Sequence, residues 1–135
     1  MEQDKILNVE IVTPQRVIFE GKAASVSVPG TKAPFQILFN HAPIVSTLET
    51  GLTKIVDEFD KEHVFATGSG FTEVHKNKIS ILVESAFPAN EINVEEVKEQ
   101  LNNAKELLKI EKNSETAKFA IAEAENKLKA VEKQK

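Results

Sequence analysis

The apolar pattern of this 135-residue chain changes period once, near residue 90, and that change limits the fold more than any single motif. Before it, apolar residues come in short runs of about four to eight that alternate or cluster as strands do. After it, they recur at steps of three and four. A chain written this way builds a sheet core first and adds helices at its end. The fold class is therefore β plus α: an N-terminal antiparallel β-sandwich or flattened barrel of about ten strands over residues 1–90, then a C-terminal antiparallel α-helical hairpin over 91–135.

The predicted strands are Ile6–Thr13, Arg16–Glu20, Ala23–Val28, Phe35–Phe39, Ile44–Thr50, Leu52–Phe59, Glu62–Thr67, Phe71–His75 and Ile79–Val83, with a short piece at Ser85–Phe87. Pro14, Gly21, Pro29-Gly30, Gly51, Asp60-Lys61, Gly68, Gly70 and Asn77-Lys78 separate them at turn-like intervals. Within the third run, Ala24, Val26 and Val28 are expected on one side and Ser25 and Ser27 on the other. Gly68-Ser69-Gly70 is read as a turn or bulge in which glycine supplies a positive φ.

In the second half, Val94, Val97, Leu101, Ala104 and Leu108 form one helical seam, and Ala117, Ile121, Ala124, Leu128 and Val131 form another. Asn93 is placed to cap the first helix, with Glu96 three residues on and Ile92 set to pack on Val97. Lys112-Asn113-Ser114 interrupts the pattern, and Ser114 is placed to cap the second helix. So short a connection makes the helices antiparallel. Alanines 117, 120, 122 and 124 allow close approach of the second helix. Seven large seam side chains are a small core for about 40 ordered residues, so the hairpin needs the sandwich or a partner to hold it.

Chemistry is harder to find. The net charge is -4 with a single arginine, Arg16, which argues against nucleic-acid binding and against Arg-fork recognition of phosphates. There is no cysteine, so thiolate catalysis and Cys-based zinc sites are excluded. No apolar run approaches the roughly 20 residues of a membrane span, and the start lacks the features of a leader, so no direct membrane insertion is expected. His41, His63 and His75 have no metalloprotease spacing, though His63 and His75 fall in strands that can be neighbours. Ser69 between two glycines is not a nucleophile elbow, which requires a helix after the turn. No cofactor, metal or catalytic residue is assigned. A stand-alone β-sandwich binding module with a helical dimerisation hairpin fits these residues, although the absence of Trp and Tyr counts against a sugar platform. A His/Ser hydrolase is the third reading.

The order of "NVEIVTPQRVIFEGKAASVSVPG", "FQILFNHAPIVSTLETG" and "ATGSGFTEVHKNKISILVESA", followed by a helical hairpin, resembles the epsilon subunit of the bacterial F-type ATP synthase over essentially the whole chain. The resemblance implies a non-catalytic central-stalk rotor subunit of a proton-translocating synthase, peripheral to the cytoplasmic face of the cell membrane. It implies a sandwich bound to the gamma subunit and to the c-subunit ring, and a hairpin that lies on the sandwich or extends toward the alpha and beta subunits to obstruct hydrolysis. The loop Asn40, His41, Ala42 and Pro43 is, by the same resemblance, the part facing the c ring.

Some family members bind ATP through an I/L-D-x-x-R-A motif and arginines on the second helix. Here the matching stretch is Ile92-Asn93-Val94-Glu95-Glu96-Val97, and Glu123 and Lys127 stand where arginines are expected. Carboxylates at 96 and 123 repel a polyphosphate, so ATP binding is not expected. The second helix carries five lysines against four glutamates, a weak basis for electrostatic capture by an acidic partner.

Overall fold

The structure, a computed structural model, describes residues 5–135; the first four residues of the predicted sandwich unit, which also open the start read as leaderless, lie outside the described residues. Nine strands are followed by a short 3-10 turn and two helices: β1 Leu7–Val12, β2 Val17–Val28, β3 Phe35–Ile37, β4 Ile44–Leu48, β5 Gly51–Asp57, β6 Glu62–Thr67, β7 Gly70–His75, β8 Lys78–Val83, β9 Ala86–Pro88, α1 Val94–Ile110 and α2 Glu115–Gln134.

Hydrogen bonding runs β4-β7-β8-β1-β2-β5-β6-β9, with β3 on the free edge of β2. The 12-residue β2 turns this one sheet into two layers, because its first half pairs with β1 while its second half pairs with β5 and β3. A Gly30–Leu48 bridge ties the second half of the sandwich back to β4. Leu7, Val9, Ile11, Val26, Ile37, Ile55, Phe65, Ile79 and Ile81 fill the space between the layers. These side chains alternate along their strands, as period-two patterning requires.

Several expectations need correction. Arg16–Glu20 and Ala23–Val28 are one strand, since Gly21 pairs with Val9 in a continuous ladder rather than turning the chain. Nine strands therefore replace ten, and the β1–β8 pair is parallel in an otherwise antiparallel sheet. Ala24 does not share a side with Val26 and Val28: two β2 steps, Ala23 to Ser25, oppose one β5 step, so Ala24 is the extra residue of a bulge and Ala23 points inward. The third strand stops at Ile37, because Leu38–His41 forms a turn with Asn40 at φ 63°. The β7–β8 turn is centred one residue earlier than expected, on Lys76-Asn77, both at positive φ. No glycine has positive φ among the described residues. Gly70 is needed for space: a Cβ there would overlap the Leu82 carbonyl oxygen on β8.

Both capping residues are as read, while Ile92 packs against the Val64, Ala66, Ala89 and Ala130 cluster. Asn93 Oδ1 accepts from the Glu96 N–H at 3.1 Å, and Ser114 Oγ accepts from the Ala117 N–H at 3.1 Å. Each bond satisfies an amide that the first helical turn leaves without a partner. Of the ten seam residues, Val97, Ala104, Ala117 and Ala124 are buried, while Ala122 contributes to a small pocket on the sandwich side of α2.

Candidate functional site

The turn at Leu38–His41 and the Lys76-Asn77 turn meet at one end of the sandwich. The Asn40 N–H donates to Asn77 Oδ1 at 2.6 Å, and Asn77 Nδ2 donates back to Asn40 Oδ1 at 3.1 Å. This exchange holds Asn40 in its left-handed conformation, which an asparagine tolerates better than most residues. His41 Nδ1 lies 2.8 Å from the Ala42 carbonyl, to which it donates, and its ring lies 6.5 Å from that of Phe35. Asn40, Ala42 and Pro43 are exposed and His41 is half-buried. The result is a tip braced by side-chain hydrogen bonds that presents Asn40, Ala42 and Pro43, with Leu38 and Ile44 also exposed beside them.

On another side, α2 lies on the outer surface of β5, β6 and β9. Ala130 is fully buried there against Val64, Ala66 and Ala89, beside Leu52, Phe87 and Ile92. Polar contacts flank this small apolar spot. Asn126 Nδ2 donates to the Gly51 carbonyl at 2.8 Å, at the start of β5. Gln134 Oε1 accepts from the Val64 N–H at 2.9 Å, and its Nε2 donates to the Glu62 carbonyl at 3.2 Å. β9 pairs only with Phe65–Thr67, so Gln134 completes the β6 edge beyond the end of β9. Lys127 Nζ sits 3.9 Å over the Phe87 ring and 3.8 Å from Glu123. The sequence reading missed Asn126, Ala130 and Gln134. Their spacing of four and four is a helical stripe, but an amide, an alanine and an amide carry no hydropathy signal.

A cavity of about 400 Å³ opens between the β1–β2 turn, β9 and the start of α1. Ile92, Asn93, Glu96 and Lys127 line it together, and so does Arg16, which the sequence reading had not placed near them. Glu123 lies outside it, borders a separate small pocket under Phe119, and pairs with Lys127. Two cations, Arg16 and Lys127, face two carboxylates, Glu91 and Glu96.

No catalytic grouping emerges among the described residues, nor any cluster of three metal-ligating side chains. His63 and His75 are not on neighbouring strands: β6 lies between β5 and β9, and β7 between β4 and β8. His63 Nε2 bonds Asp57 Oδ2 at 2.9 Å and packs on Phe19. Asp57 Oδ1 accepts from the Phe59 and Lys61 N–H groups, closing the β5–β6 turn. The hydrogen bond from His63, aided by these backbone donors, holds the Asp57 carboxyl below its ordinary pKa. No helix among the described residues is long and apolar enough to cross a membrane.

Residues 6–89 match the family model described as ATP synthase, Delta/Epsilon chain, beta-sandwich domain. The chain belongs to the ATP synthase epsilon family. An epsilon chain of Brevibacillus brevis is 38% identical over 102 residues, covering 76% of this chain and 77% of that one. The epsilon chain of Campylobacter concisus is 34% identical over 126 residues, covering 92% and 97%, so the likeness to epsilon chains includes the hairpin. The same fold occurs in a chain of the Euglena gracilis mitochondrial ATP synthase OSCP/F1/c-ring structure, with TM-score 0.68 and 20% identity over 93% of this chain and 77% of that one. It occurs again in the Tetrahymena thermophila mitochondrial ATP synthase central stalk/c-ring, with TM-score 0.55 and 18% identity over 94% of each. The relatives it matches are thus epsilon chains of ATP synthases, one of them alike along nearly the whole chain.

Proposed function

We propose that this epsilon-family chain is a non-catalytic rotor part with two working units. The sandwich, through residue 90, couples the gamma subunit to the c ring at the cytoplasmic face of the membrane, with Asn40–Pro43 as the ring-facing tip. The hairpin, 91–135, restrains ATP hydrolysis when it leaves the sandwich and meets the alpha and beta subunits. The observation that carries the second part is the nature of the α2–sheet contact. It is one alanine-centred apolar spot flanked by side-chain amides on main-chain groups, an interface that water can replace group for group. Such a contact suits an element that docks and releases.

Support for the ring-facing tip is its exposure and its bracing by the Asn40–Asn77 hydrogen bonds, together with the resemblance of the His-Ala-Pro stretch. ATP has no evident place in this reading, because the cavity's two cations are already balanced by two carboxylates. The test is ATP hydrolysis by a matching alpha–beta–gamma core, with the full-length chain added or with a version ending at Asn90. Binding by both, with slowing only by the full-length chain, is the expected outcome. Equal behaviour of the two would remove the inhibitory role and leave the hairpin as a structural part.

A further inference from the structure

The hairpin is held to the sandwich unequally along its length. Ile92 and Ala130 meet in one small cluster with Val64, Ala66 and Ala89, so the chain's crossing into α1 and the most deeply buried residue of α2 lie together. One turn further on, Gln134 bonds both Glu62 and Val64. The crossing itself is short: after the 3-10 turn Ala89–Glu91, Ile92 and Asn93 are extended, and α1 begins at Val94. Toward the hairpin turn the hold weakens. Asn126 is the last side chain in that direction with a hydrogen bond to the sheet. From Glu115 to Glu125 no side chain among the described residues bonds or pairs with the sandwich. Phe119 borders a small pocket with Thr50, Gly68 and Ala122 and stays 58% exposed.

The two polar holds also differ in what their loss leaves behind. The Gly51 carbonyl, which Asn126 grips at 2.8 Å, already accepts from the Thr67 hydroxyl at 3.3 Å, and that hydroxyl lies 3.0 Å from the Thr53 hydroxyl in the core. It keeps a protein donor when Asn126 leaves. The Val64 N–H lies beyond the end of β9, so departure of Gln134 hands it to water. The turn end is therefore the easier one to open. We infer that α2 leaves the sheet in two stages, peeling first at the hairpin-turn end about a pivot formed by Ile92, Ala130 and Gln134, and releasing that pivot last. This rests on the docking-and-release reading proposed above. A hairpin hinged at one end and loosely held at the other opens as a lever, with the Ile92-Asn93 link absorbing the backbone change. The first stage breaks the hold of Asn126; the second frees Val64 and uncovers the apolar cluster. Between them stands a distinct state, with the hairpin turn swung out and Gln134 still seated.

The chain has no cysteine, so single disulfides can be introduced into the full-length protein without competing thiols. One tether, Ala89→Cys with Ala130→Cys, closes the pivot; another, Thr50→Cys with Ala122→Cys, closes the turn end. Hydrogen exchange followed by NMR reads the first stage at the Asn126 side-chain amide and the second at the Val64 backbone amide. The pivot tether should slow Val64 exchange about tenfold or more and leave Asn126 within about twofold, whereas the turn-end tether should slow both about tenfold or more. Equal slowing of both groups by the pivot tether, or Val64 exchange untouched by the turn-end tether, overturns the order of release while release itself stands. If a tether does not form, the unsubstituted chain decides: relative to its free rate, the Asn126 side-chain amide should exchange faster than that of Gln134, and an equal or reversed order overturns the proposal. Exchange of Val64 and Asn126 only as slow as that of the core amide of Ile55 would mean that the hairpin never leaves short of unfolding, which overturns both this proposal and the docking-and-release reading.

Discussion

Asp57 shows how much one side chain can hold. Its two oxygens take hydrogen bonds from His63, Phe59 and Lys61, so the ionised form is favoured in the folded chain and its pKa is lowered. A carboxyl with a depressed folded-state pKa contributes stability above its unfolded value, about 3.9, and that contribution fades as pH falls through the lower folded value. The β5–β6 turn should therefore loosen only in acid. Amide exchange at Phe59 and Lys61 should quicken below about pH 4 in the natural chain, relative to other turns at the same pH. Asp57→Asn should remove this pH step while leaving exchange at other turns unchanged. Persistence of the step after that substitution would assign it to another carboxyl. The sequence showed a turn at Asp60-Lys61, but not that a residue three positions before Asp60 closes it, because side-chain geometry has no period to read.

At the scale of elements, α2 is held by one face to α1 and by another to the sheet. The first, the pairing of the two helices, was legible from the spacing of Ala117, Ile121, Ala124, Leu128 and Val131, of which Ala117 and Ala124 are buried. The second was not, since Asn126, Ala130 and Gln134 look like solvent-facing residues. Strand merger at Gly21 and the Ala24 bulge were hidden for a related reason: continuity of a ladder depends on the partner strand, not on local turn propensity. Replacing Asn126 and Gln134 by alanine should weaken docking by about 1 kcal/mol per hydrogen bond lost, in line with ordinary net values. Hydrogen exchange of the Val64 amide, which Gln134 protects, reports it directly. The sandwich's own melting should barely move. Unchanged exchange at Val64 would mean that Ala130 packing alone holds the helix.

For the whole molecule, the order sandwich then hairpin was readable from the change in period near residue 90, and the epsilon-family comparisons agree with it. What the pattern could not supply was the arrangement of the hairpin on the sandwich, which creates the cavity lined by Arg16, Ile92, Asn93, Glu96 and Lys127. That arrangement adds an arginine to a site the sequence had judged poor in cations. It also adds Glu91, so the charge balance stays level, and Lys127 is already engaged with Phe87 and Glu123. Titration calorimetry with ATP should show no binding tighter than about 1 mM, a threshold worth roughly 4 kcal/mol. A clear sub-millimolar isotherm, abolished by Arg16→Ala, would reverse this conclusion.

The two amides of α2 have a further consequence. Asn126 and Gln134 grip main-chain carbonyl and N–H groups of β5 and β6, groups that every non-proline residue supplies. Side-chain changes along these strands therefore cannot delete the receiving half of the latch. Its strength is set from the helix, by two codons, and can drift without touching the sheet. A selection for altered hairpin release should accordingly return substitutions in α2 far more often than in β5 or β6.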